Sequence, residues 1–267
     1  MTVIRLDLAY DGTGFRGWAR QRSVRTVQGV LEEALGRVLG AEPSLSVAGR
    51  TDAGVHASGQ VASFEGPDTR DLARLQRALN GMLAPEVVVL RARRAPAGFD
   101  ARRSASAREY RYRIEFGPLP DPFTARFVWH RPGRLALAPM REAAGRLVGH
   151  HDFASFCRPA PPPASTVRRL ERFAVTVVGT RLELSVRANA FCHQMVRALV
   201  GTIVAVGDGR IAPGAIPQIV AARERSSAGP VAPPRGLTLT RVVYGRRRRD
   251  DGAAGRPAPE SARARDL

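Results

Sequence analysis

The stretch "AREYRYRIEF", Ala107 to Phe116, alternates strictly: Tyr110, Tyr112, Ile114 and Phe116 point one way, and Glu109, Arg111, Arg113 and Glu115 the other. A strand of this kind has one apolar and one charged face, so it belongs to an antiparallel sheet with helices packed on one side. The rest of the chain falls into order around it. Val3 to Tyr10 reads as a strand, Gln28 to Leu39 as an amphipathic helix, and Leu45 to Ala48 and Gln60 to Phe64 as strands. Asp68 is placed to cap a helix running to about Met82, and Glu86 to Arg94 is a further strand. After "AREYRYRIEF" the order partly repeats. A helix spans about Pro139 to Val148, and a hairpin joins Phe173–Val178 to Leu182–Val186 around "GT". Helices follow near Phe191–Val206 and Ile216–Arg223, and a last strand spans Leu237–Tyr244. We read an α+β protein of two similar halves, residues 1–105 and 106–245, sharing one extended antiparallel sheet. Residues 246–267 hold almost no core formers and are expected to be a disordered, Arg-rich tail.

Charge narrows the choice of partner. The formal net charge is +18, and every one of the 42 basic residues is arginine. The tail holds seven arginines against four acids, so +15 belongs to the body. Arginine forks onto phosphate and stacks on bases, which makes nucleic acid the natural partner, ahead of a membrane surface. The absence of lysine removes P-loop, kinase and Schiff-base chemistry. The only cysteines, Cys157 and Cys192, form no CxxC pair, so neither a structural zinc site nor a disulfide framework is expected. "MTVIRLDLAY" is a strand and not a signal peptide, and no apolar run is long enough to span a bilayer; the expected location is the cytoplasm. The segment "GTGFRG" has dinucleotide-loop spacing, but no helix opens within it, so no nucleotide cofactor is expected. It reads instead as a flexible loop whose Arg16, Arg20, Arg22 and Arg25 are free to meet phosphates. The five histidines lack close metal-ligand spacing, and no metal is expected.

One acid stands out. In "VAGRTDAGVH" Asp52 sits on a tight loop after a short strand, two residues from Arg50. By itself this is either an ordinary Asp–Gly turn or a reactive carboxylate. "RANAFCHQMVRALVG" sets Arg197 on a helix among Met195, Val196, Leu199 and Val200, and "APPRGLTLTRVVY" ends the fold on a strand.

Together "YDGTGFRGWARQ", "GRTDAGVHASGQV", "SAREYRYRI", "HDFASF", "RANAFCHQMVRALVG" and "GLTLTRVVY" resemble the tRNA pseudouridine synthase A family over nearly the whole chain short of the tail. The resemblance implies two ferredoxin-like halves working as a homodimer across one tRNA. It implies isomerisation of uridine to pseudouridine at positions 38, 39 and 40 of the anticodon stem-loop, without cofactor or metal. Asp52 would be the nucleophile, with Arg197 as its ionic partner. Tyr110 would pack against the uracil and take the C5 proton, and Leu237 would give an apolar floor. Arg50 would fill the space of the displaced base or hold its phosphate. Arg108, Glu109 and Thr238 depart from the family's usual residues. Two other readings are a non-catalytic RNA-binding protein that stacks bases on Tyr110 and Tyr112, and a glycosidase. The first leaves Asp52 unexplained, and the second needs two cooperating carboxylates where the loop offers one.

Overall fold

In the computed structural model, which describes residues 2–66, 71–158 and 165–245, ten strands form one sheet. The first part of the chain gives β1 (Thr2–Tyr10), α1 (Val27–Leu39), β2 (Ser46–Val47), β3 (His56–Gly66), α2 (Leu72–Leu83) and β4 (Val87–Arg94). The second gives β5 (Ala105–Phe116), β6 (Trp129–Arg131), α3 (Leu137–Leu147), β7 (Gly149–Asp152), β8 (Val167–Val178), β9 (Arg181–Ala188), α4 (Met195–Gly207), α5 (Ile216–Ala222) and β10 (Leu237–Tyr244). The sheet order is β4-β1-β3-β10-β5-β9-β8-β7, with β2 added on β3 and β6 on β5. The order β4-β1-β3-β2 reappears as β10-β5-β9-β8, the repeat expected of two α+β halves.

The sheet is not antiparallel throughout. β10 runs parallel to β3 through Thr238↔His56 and Leu239↔Ala57, and β6 runs parallel to β5. The parallel join arises because β10 is the edge strand of the second half laid against the first. β2 stops after two residues, pairing only with Ser63 and Ala62, and leaves the start of β3 open for β10.

Alternation sorts the two faces. Ile4, Leu6, Leu8, Tyr110, Tyr112, Leu184 and Val186 are buried beneath the helices. The opposite face carries ion-paired ladders: Arg5–Asp7–Arg93, Arg113–Glu183–Arg111, and Arg187 between Glu109 and Glu171. The helices start where capping chemistry allows. Thr26 Oγ1 accepts from Gly29 N–H ahead of α1, and the Asp71 carboxylate accepts from Arg74 N–H ahead of α2. Asp71 thus holds the capping role expected of Asp68, which lies outside the described residues, as does the tail. β3 is longer than expected at both ends, and α4 opens at Met195 instead of Phe191, leaving 191–194 as a loop in which Gln194 is left-handed (φ 63°).

Candidate active site

The loop that carries Asp52 is held from three sides. Trp18 N–H donates to Thr51 O (3.0 Å) and Gly54 N–H to Phe15 O (3.3 Å). Gln60 Nε2 donates to Gly49 O (2.7 Å) and to the Tyr10 hydroxyl (3.2 Å), which lies 2.8 Å from Thr51 Oγ1. Burial pushes the Tyr10 phenol up to about 12, so it remains a neutral structural contact. Two glycines of "DGTGFRG", Gly12 and Gly17, are required by this packing. A Cβ on Gly12 would fall 2.1 Å from Val55 O, and Gly17 has φ 96° with Thr51 O 2.9 Å from any added Cβ.

This corrects the expectation of a flexible arginine loop. Arg16 N–H donates to Arg25 O, Gln28 N–H donates to Trp18 O, and Trp18 is fully buried. Arg20 is paired with Glu42 (2.6 Å) and Glu32 (3.2 Å), and Arg25 with Glu86 through both guanidinium nitrogens (2.8 and 2.7 Å). Neither is free for phosphate; their partners come from α1, the turn after it and the residue just before β4. Arg16 and Arg22 remain exposed without an ion pair among the described residues.

Between this loop and the start of α4 opens a cleft of about 980 Å³. All five residues singled out from the sequence, Asp52, Arg50, Tyr110, Arg197 and Leu237, line it. Arg197 Nη1 donates to Asp52 Oδ2 (3.1 Å), and its Nε is anchored on Ala232 O (2.8 Å). Tyr110, on β5, is buried and stands edge-on against Phe191 (5.2 Å between centroids). Its hydroxyl makes no hydrogen bond to any described residue. Burial above all, then Tyr10 and Asp52, holds this phenol far above its ordinary range, so it stays protonated. Leu237, buried at the start of β10, adds an apolar wall. Arg50 is exposed and has no ion pair among the described residues.

Among the described residues Asp52 is the only carboxylate in the lining, against seven arginines. Two of the seven have fixed duties: Arg197 holds Asp52, and Arg108 is a buried rivet. Arg108 donates to Ala48 O (2.9 and 2.7 Å), Arg102 O (2.8 Å) and Asn189 O (2.8 Å), tying loops of the two halves together. The other five, Arg16, Arg50, Arg102, Arg158 and Arg168, have no carboxylate partner among the described residues. The acids on the sheet's open face are taken up by the ladders there, and the surplus cations collect around the cleft. Arg102, Arg158 and Arg168 were not singled out from the sequence, where nothing sets them apart from other arginines. His193 was weighed only as a metal ligand, yet its Nε2 lies 3.4 Å from Asp52 Oδ1. Its place in "FCHQMVR", on the loop before Arg197, was the available signal.

His56, at the end of the Asp52 loop, faces away from the cleft. Its Nδ1 accepts from Gly12 N–H (3.0 Å), and Nε2 lies 2.9 Å from Arg126 O and 3.2 Å from Arg235 O. This suits the neutral ring protonated on Nε2. Asp11 Oδ1, 3.1 Å from Nδ1, would suit the cation instead. Burial is the larger influence and lowers the His56 pKa, so the neutral ring prevails.

Known proteins resemble the chain along most of its length. Residues 8–102 and 143–245 match the family described as tRNA pseudouridine synthase. The chain is 46% identical over 265 residues to tRNA pseudouridine synthase A of Leifsonia xyli subsp. xyli, covering 91% of this chain and 92% of that protein. For the protein of the same name from Frankia casuarinae the identity is 49% over 246 residues, with 90% and 89% covered. For that of Moorella thermoacetica it is 42% over 246 residues, with 91% and 100% covered.

Proposed function

The chain belongs to the tRNA pseudouridine synthase family, and from that premise we propose that it isomerises uridine to pseudouridine at positions 38, 39 and 40 of the tRNA anticodon stem-loop, with Asp52 as nucleophile. The observation that carries this reading is a carboxylate, the only one among the described residues of an arginine-lined cleft, held by a half-buried arginine. The arginines bind the RNA backbone, and the carboxylate is left for chemistry.

In the reaction the N1–C1′ bond breaks, the uracil turns, and C5 bonds to C1′. C5 loses a proton and N1 gains one, so no atom enters or leaves. A carboxylate is able to attack either C6 of the uracil or the ribose carbon and leave again. Arg197 fixes the direction of the Asp52 carboxylate through the bond from Nη1 to Oδ2 (3.1 Å). The target nucleotide must leave its stack, which costs a few kcal/mol; Arg50 is free to enter the vacated space or hold the phosphate. Leu237 and Tyr110 sandwich the base. The Tyr110 oxygen lines the cleft and takes the C5 proton as its own proton passes to solvent there, and N1 draws its proton from the same solvent. A homodimer across one tRNA, in the cytoplasm, is the working arrangement that the family resemblance supports. Among the described residues no helix is long and apolar enough to cross a membrane.

The test is incubation of the purified protein with unmodified tRNA transcript, followed by mapping of pseudouridine. The parent forms it at the stated positions. Asp52→Asn forms none while binding tRNA within several-fold of the parent, because removing a negative charge does not weaken phosphate contacts. Turnover by Asp52→Asn at a tenth of the parent rate would remove Asp52 from the nucleophile's role.

A further inference from the structure

The two cysteines, 35 positions apart in the chain, meet at the wall of the cleft. Cys157 closes the short helical turn after β7 and is buried, whereas Cys192 lines the cleft and is partly exposed. Their segments are joined one residue further on, where Arg158 N–H donates to His193 O (3.0 Å), and the two thiols are close enough to shift each other's ionisation. A disulfide needs Cα atoms roughly 4.4–6.8 Å apart, and the backbone hydrogen bond between the residues next to the two cysteines holds their segments side by side. The sequence supplies no other cysteine to compete.

We infer that Cys157 and Cys192 form an oxidation site, in which a peroxide converts the thiol pair to a disulfide and thereby lowers turnover. The partly exposed Cys192 thiolate attacks the peroxide oxygen and becomes a sulfenic acid, releasing the alcohol or water of the peroxide. The buried Cys157 thiol then attacks that sulfur, the S–S bond forms, and water leaves. The two thiols give up two electrons, and the O–O bond accepts them.

The roles follow from the surroundings. The hydrogen bond from Cys157 draws the Cys192 thiol below its ordinary pKa, against the opposing effect of burial, and the Arg168 guanidinium acts in the same direction. The same bond, then burial, pushes Cys157 up. An accessible thiolate beside a sheltered resolving thiol is the arrangement that redox-responsive pairs require.

The effect on turnover comes from the neighbours of Cys192. Phe191 stands against Tyr110, and His193 reaches Asp52 Oδ1. Shortening a thiol–thiol contact to a covalent bond draws the segment between them toward Cys157. A displacement of about 1 Å beside reacting groups costs up to roughly 100-fold in rate.

The experiment treats reduced full-length protein with hydrogen peroxide and follows tRNA conversion and proteolytic peptide masses together. The expected result is a cross-linked peptide joining 157 to 192, lighter by two hydrogens, whose yield tracks a roughly ten- to hundredfold loss of rate, with both reversed by dithiothreitol. Cys157→Ser should keep the basal activity and show no thiol-reversible cross-link. The inference is overturned if no such peptide forms in the parent, if the cross-linked fraction converts tRNA at the parent rate, or if Cys157→Ser is inhibited as deeply and as reversibly as the parent. The peptide mapping uses the parent protein alone, so it stands even if the variant folds poorly, and it does not depend on which residue is the nucleophile.

Discussion

Arg197→Met is the substitution that most directly probes the site. The side chains of Arg197 and Asp52 are 14% and 20% exposed, so solvent screens their pairing only in part. Methionine keeps the stem and most of the volume, so the packing beneath α4 is largely retained. Two hydrogen bonds go: Nη1 to Asp52 at 3.1 Å and Nε to Ala232 O at 2.8 Å. A hydrogen bond to a charged group contributes about 1.5–3 kcal/mol. If the Asp52 bond is needed in full at the transition state, about 2.7 kcal/mol is lost and the chemical step slows about 100-fold. Stability should fall by a similar amount, which for a chain of this size is roughly 5–10 °C in Tm. Release of tritium from tRNA carrying 5-tritiated uridine, with enzyme in excess, reads the chemical step; filter binding reads affinity. Arg197→Lys restores a charge without the paired donors and should fall between parent and Met. Weak tRNA binding by Arg197→Met, with a normal rate at saturating enzyme, would make Arg197 a phosphate contact and refute its pairing role.

Three further outcomes are expected. Gly12→Ala places a Cβ 2.1 Å from Val55 O, backbone against backbone, and should cost about 3 kcal/mol, seen as a lower urea midpoint with unchanged m, with activity falling as the Asp52 loop shifts. Tyr110→Phe removes a buried hydroxyl that has no hydrogen bond to described residues, so Tm should stay level or rise while tritium release slows; a normal rate would reduce Tyr110 to a packing surface. His56 has a lowered pKa in the fold, so the unfolded chain binds the extra proton: its contribution is intact above about pH 6.5 and is lost as pH falls below that. Tm scans between neutral and mildly acidic pH should show this slope in the parent and a shallower one in His56→Asn, whose amide oxygen still accepts from Gly12.

Local pattern made much of the fold legible. β5 and β10 were readable because alternation of apolar with charged residues in β5, and of leucine with threonine in β10, reports one covered face directly, and β10 begins and ends where expected. The start of α4 was not, because Phe191 has the right spacing from Met195 to extend the helix; its contact with Tyr110 and the left-handed Gln194 prevail over that periodicity. The binding of Arg20 and Arg25 by Glu32, Glu42 and Glu86 was invisible, since charge counts carry no distances. Of the site, the five named residues do meet in one cleft, because the resemblance rested on motifs and not on composition. What the motifs left out was the scatter of Arg102, Arg158 and Arg168 around them. An arginine with a carboxylate partner and one without are spelled alike.

The last of the described strands, β10, lies in the middle of the sheet, between β3 and β5. A ribosome delivers Asp52 early and Arg197 much later, but the strands beside them have nothing between them until Tyr244 has emerged. The contact Thr238↔His56 closes most of the chain length in one step, and such long closures are slow. Synthesis and competence are thereby linked in time: a polypeptide that stalls before Leu237 carries Asp52, Tyr110 and Arg197 and has no frame in which to bring them together. An unfinished copy is therefore kept from acting on RNA by the order of its own strands.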